Sequence, residues 1–163
     1  MLLQAILTVI HVLSAVVWLG LVPADLVLRK NIKKSKGSPS EGKLISVYLH
    51  LVNITGIIGM TGIVVTGVIL TSILPYYSFF NFSANRWLAE KQAIMVILIV
   101  LVFAFLIPKA KKVRLALGGN LEGKASIGEG VYSNLNGLET IITIINVLVL
   151  VNFLLALTHR FIS

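Results

Sequence analysis

The chain has 163 residues, of which 57% are hydrophobic and only 12% charged, with a mean hydropathy of +0.97. A soluble domain carries about 25% charged residues, so these figures exclude an ordinary soluble enzyme. The absence of Cys removes disulfides, thiolate zinc sites, Cys-ligated iron–sulfur clusters and the CxxCH haem attachment.

Four apolar runs, Leu2 to Leu28, Leu44 to Ile73, Trp87 to Ile107 and Leu138 to Leu157, are each long enough to cross a bilayer. A spanning helix needs about 20 apolar residues to cover about 30 Å of hydrocarbon. The sequence therefore predicts an all-α, integral membrane four-helix up-and-down bundle. It forms a single membrane domain over 1–163, with helices at about 2–28, 44–73, 87–107 and 138–159. The first run has no basic n-region or small-residue cleavage site and reads as a retained helix, not a leader.

In such a chain a polar residue inside a run is costly and becomes the first functional candidate. In the first run His11 lies roughly 12 Å in from the start at 1.5 Å per residue. Trp18 and Asp25 follow at successive seven-residue steps. All three fall on one helix face, and Arg29 follows Asp25 at the (i, i+4) spacing of an ion pair. Next comes a basic loop with Arg29, Lys30, Lys33, Lys34, Lys36 and Lys43 around the turn Gly37-Ser38-Pro39-Ser40. The second run carries His50 and Asn53 near its start, then Gly56, Gly59, Gly62 and Gly67 with Thr55, Thr61 and Thr66. Small residues let membrane helices approach closely. They also leave room for a flat cofactor, and the spacing alone does not choose between these.

Pro75 ends the second run, and Tyr76, Tyr77, Phe79, Phe80, Phe82 and Trp87 follow. Such an aromatic loop belongs at the headgroups. It has the makings of a lid over a lipid-accessible pocket of the kind a quinone would use. Glu90 and Lys91 open the third run. Lys91 is the nearest polar group in height to His11, within about two helical turns. Its alternatives are to snorkel to the interface or to pair with Glu90. After Pro108 comes a second basic stretch, Lys109, Lys111, Lys112, Arg114 and Lys124. Glu139 and Asn146 share a face of the fourth run, and His159 stands at its end. On these heights His50 and His159 are each too far in depth from His11 to share a metal with it.

The net charge of +8 does not indicate nucleic acid, because the positives sit in two loops at one end of the bundle. By the positive-inside rule the loops 29–43 and 109–124 are cytoplasmic and both termini lie outside. The expected location is thus a prokaryotic plasma membrane, with anionic lipid against the basic loops.

The segment Ile10-His11-Val12-Leu13-Ser14-Ala15-Val16-Val17-Trp18-Leu19-Gly20 resembles the first helix of a group of small bacterial membrane proteins. The group includes the HemJ-type protoporphyrinogen oxidases, the CopD-like copper-resistance membrane proteins and related four-helix proteins. Thr61-Gly62-Ile63-Val64-Val65-Thr66-Gly67 resembles their Gly-rich second helix, and Trp87-Leu88-Ala89-Glu90-Lys91 their Trp-Leu-x-x-Lys. The resemblance implies a b-type haem in the bundle, with His11 as axial ligand and Lys91 as the second essential position, both on the metal. On a haem-binding reading Trp18 would pack on or hydrogen-bond the porphyrin, and the glycines of the second helix, Gly59 and Gly62 among them, would give it room. The Met-Glu pair before the second helix and the Asn-Glu-x-Pro before the fourth are missing, with Asn136-Gly137-Leu138-Glu139 only a loose echo. Haem binding is therefore expected ahead of protoporphyrinogen oxidation, and no enzymatic activity is assigned. Copper transport ranks lower still, since Cu(I) prefers Met and Cys and the chain has 3 Met and no Cys. The leading expectation is a haem-b redox protein or a membrane subunit of a respiratory complex. The alternative is a cofactor-free structural or assembly subunit of a larger membrane complex.

Overall fold

The computed structural model describes residues 1–121 and 128–162, the side chains of 119–121 and 159–162 excepted. Among the described residues there is no strand, and four helices are long and apolar enough to cross a membrane. They are helix 1 (Leu2–Lys34), helix 2 (Glu41–Ile73), helix 3 (Arg86–Gly118) and helix 4 (Glu129–Thr158). The expected all-α four-helix bundle is observed. The helices outrun their apolar stretches at the basic end. Helix 1 continues through Lys34, and the helix crossing Pro108 runs on to Leu121 through glycines read from sequence as loop. A helix of 33 residues is about 50 Å long, so roughly 20 Å of each stands outside about 30 Å of hydrocarbon. Lys124 lies outside the described residues, as do the side chains of His159 and Arg160.

None of the first three helices is regular throughout. Helix 1 breaks at Gly20, between Leu2–Leu19 and Leu21–Lys34. Pro23 explains the break, because it has no N–H to offer the Leu19 carbonyl one turn back. Helix 2 has a π-helical stretch at Gly56–Met60. It follows Thr55, whose Oγ1 donates to the Leu51 carbonyl at 2.8 Å. Helix 3 has a second at Leu101–Leu106, just before Pro108. A π turn accommodates carbonyls that a proline leaves without their usual donor.

Helices pack around the bundle in chain order, with helix 1 also touching helix 4. Helices 2 and 3 pack closely through their basic halves. Toward the aromatic end the main contacts are of helix 1 with helix 2 and of helix 3 with helix 4. The core follows this pattern. Ile45, Tyr48, Leu49, Val113, Leu117, Leu135, Leu138 and Ile142 are buried in the basic half, against few counterparts such as Leu98 and Val149 beyond it. Large apolar side chains such as Leu3, Leu13, Phe103 and Val147 point outward, as lipid requires.

The loop between helices 2 and 3 is pinned by polar contacts. Phe80 has the left-handed φ of 51°, and its N–H donates to Gln92 Oε1 at 2.6 Å. Asn85 Nδ2 donates to the Tyr76 carbonyl at 2.8 Å. Tyr76, Tyr77 and Trp87 stack edge to face, at centroid separations of 4.6 and 5.9 Å.

Candidate functional site

Polar groups gather in two places, one in each half of the bundle. The aromatic half holds His11. Its Nδ1 is hydrogen-bonded to Thr66 Oγ1 at 2.8 Å. That hydroxyl also donates to the Gly62 carbonyl of its own helix, so the hydroxyl proton is committed and the imidazole Nδ1–H is the donor to Thr66. The tautomer this sets leaves Nε2 with its lone pair free. An oriented ring with one nitrogen tied to an oxygen is the arrangement that metal-ligating histidines adopt.

Lys91, on helix 3, has its Nζ 5.6 Å from the Trp87 ring centroid. The Glu90 carboxylate beside it takes Arg86 Nε at 2.8 Å. Next to Lys91, Gln92 has its Nε2 buried without a hydrogen-bond partner, and on helix 4 so is Asn152 Oδ1. His11 and Thr66 thus belong to helices 1 and 2, and Lys91 and Gln92 to helix 3, all in the aromatic half.

Of the two uses the glycine spacing leaves open, Gly59 and Gly62 serve close helix packing. A Cβ on Gly59 would come within 2.7 Å of Trp18 Cβ, and one on Gly62 would collide with Ser14 Oγ and Cβ. A Cβ on Gly67 would meet the His11 ring at 3.3 Å. The room at Gly59 and Gly62 is filled by helix 1 itself. Trp18, only 2% exposed, is a packing residue against Gly59. Helix 1 fills the space over Gly59 and Gly62, which leaves no room for a porphyrin there. Among the described residues no three His, Cys, Asp or Glu side chains converge where they could hold a bare metal ion.

The second centre lies in the basic half and is deeper. Asp25 is 2% exposed. Its Oδ1 accepts from Arg29 Nε at 2.7 Å and from Tyr48 OH at 2.6 Å, and its Oδ2 accepts from Asn146 Nδ2 at 3.3 Å. Arg29 extends onto helix 4, donating to Thr143 Oγ1 at 2.9 Å and to the Glu139 carbonyl at 2.7 Å. Its Nη1 also comes 4.0 Å from Glu139 Oε2. The sequence marks Asp25, Arg29, Glu139 and Asn146 but gives no direct sign of Tyr48. The available signal is that Tyr48 is seven residues after Glu41, which places both on one face. Glu41 is also buried, its Oε2 accepting from the Gly37 N–H at 2.7 Å and from Tyr132 OH at 3.0 Å.

His50 joins neither centre. It is exposed and lines a groove with Asn53 and Arg114 at the basic end, in keeping with the depth difference from His11 expected from sequence. No protein-family model, characterised protein or solved structure matches this chain.

Proposed function

We propose that the protein is a b-type haem-binding membrane redox protein, acting alone or as the membrane subunit of a respiratory complex. The haem would sit in the aromatic half. The observation that carries this reading is the His11–Thr66 hydrogen bond, which fixes the ring and leaves Nε2 as a free ligand nitrogen. His11 would hold the iron. Lys91 would be the second polar residue at the haem and could neutralise a propionate. The orphaned Gln92 Nε2 and Asn152 Oδ1 are further polar groups for such a guest. Bound haem supplies one-electron chemistry, and its potential would be set by burial and by the Thr66 bond behind the ligand. The charge asymmetry supports a prokaryotic plasma membrane orientation with the basic loops cytoplasmic. The haem would then lie toward the outer face, with a membrane quinone as its exchange partner by chemistry.

Protein purified gently from haem-replete cells should show a Soret band that shifts on reduction. His11→Ala should abolish it. Thr66→Val should keep the pigment but alter its spectrum or potential, because only the orienting bond is lost. Lys91→Ala should change the spin state or the potential with haem still bound. Colourless wild-type protein would overturn the haem reading.

The second reading is a cofactor-free assembly subunit. It is favoured by the use of Gly59 and Gly62 for packing within the chain, and colourless protein that co-purifies with other membrane subunits would support it.

A further inference from the structure

A groove of about 320 Å³ opens between helices 2 and 3 at the basic end. It is bounded by Ser46, His50 and Asn53 on helix 2 and by Arg114 on helix 3, over an apolar floor that includes Leu49 and Leu117. Among the described residues no acidic one lines it. Arg114 is anchored there, since its Nη2 donates to the Leu49 carbonyl at 3.3 Å. The residue is otherwise exposed.

Depth identifies the occupant. The helices outrun their apolar stretches at this end, so depth is read from the apolar runs themselves. The run of helix 2 begins at Leu44, which puts His50 six residues inside it, about 9 Å. The run of helix 3 ends at Ile107, which puts Arg114 seven residues beyond it, about 10 Å. The groove therefore straddles the boundary between headgroup and hydrocarbon. Exposed apolar side chains flank it, including Val47 and Ile54 on helix 2 and Leu115 on helix 3.

We infer that this groove is a headgroup site for an anionic phospholipid. Arg114 would take the phosphate through its free guanidinium N–H groups, with His50 and Asn53 as neighbouring donors and the acyl chains along the exposed faces of helices 2 and 3. Guanidinium suits this role because its planar fork matches phosphate oxygens two at a time. Basic pockets between membrane helices are a known mode of lipid headgroup recognition. The proposal is independent of the haem site, which is in the other half of the bundle. It differs from diffuse attraction to the basic loops because it assigns one fixed cation with donors on both sides of a cleft.

The test is retention of lipid by full-length protein. Wild type should keep phosphatidylglycerol over phosphatidylcholine through stepwise delipidation, read by native mass spectrometry. Arg114→Gln should weaken that retention about tenfold, the loss expected for one charge-assisted contact. Lys112→Gln removes the same charge nearby but outside the groove, and should leave retention almost unchanged. Asn53→Leu and His50→Phe alter exposed positions that the fold tolerates, so they test the site even if Arg114→Gln folds poorly. Each should lower retention without lowering thermal stability. Equal losses in Arg114→Gln and Lys112→Gln would sink the proposal, because attraction would then be diffuse. Displacement of the lipid by millimolar inorganic phosphate would also overturn it, identifying a soluble phosphate as the occupant.

Discussion

A carboxylate buried among apolar helices is expensive unless both of its oxygens are hydrogen-bonded. Asp25 meets that condition with three donors drawn from three helices. Removing its charge strands the Arg29 guanidinium, whose side chain is only 15% exposed. Asp25→Asn should therefore cost about 3–5 kcal/mol, read as a lower unfolding midpoint in detergent. Tyr48→Phe should cost less, about 1.5–3 kcal/mol, because it removes one hydrogen bond to a charged group and leaves the ion pair intact. If Asp25→Asn is as stable as the parent, the network is not what ties helices 1, 2 and 4 together. The ion pair was legible in sequence because its partners are four residues apart on one helix. Tyr48 was not, because a lone Tyr in an apolar run looks the same whether its hydroxyl reaches a partner or the interface. His11 was legible as costly, but its partner Thr66 is 55 residues away and is one of several threonines in a Gly-rich helix.

Among the elements, the contact of helix 1 with helix 2 is the most tightly specified. Ser14 and Trp18 sit where side chains on Gly62 and Gly59 would be. Gly62→Leu or Gly59→Leu should force the helices apart and destabilise the bundle by several kcal/mol, beyond the 1–3 kcal/mol typical of modest overpacking. Gly56→Leu is the control, since a side chain there enters open space. Thermal stability in detergent separates them, and equal behaviour of all three variants would refute the close packing. The sequence indicated the glycine face but could not tell a surface that admits a helix from one that admits a cofactor. Both uses require the same missing side chains, and the choice rests on what helix 1 presents. The breaks in the helices were harder to read. Pro23 and Pro108 are visible, yet the π turn at Gly56–Met60 has no proline to announce it.

For the whole molecule, chain direction and charge agree. Four helices place both basic connections at one end and the aromatic loop at the other. Cysteines at Lys36 and Lys112 should be shielded from an impermeant thiol reagent in intact cells, and one at Ser78 should be labelled, as the positive-inside rule requires. The opposite pattern would reverse the orientation. The bundle was legible at this scale because each run is long enough to span. The unequal packing of its halves was not, since lipid and protein interiors select the same apolar residues and hydropathy does not say which of them a helix face meets.

The Asp25–Arg29 pair also bears on biosynthesis. Both partners belong to helix 1, so the pair forms as soon as that helix winds, before Tyr48 or Asn146 has been made. The costliest group in the bilayer thus enters already neutralised by its own segment, and helix 1 can leave the translocon without waiting for later helices. The contacts from Tyr48 and then Asn146 arrive in the order of synthesis, each adding a donor to a carboxylate already in place. A buried charge whose counterion came from helix 4 would instead have to wait in the membrane until the chain was nearly complete.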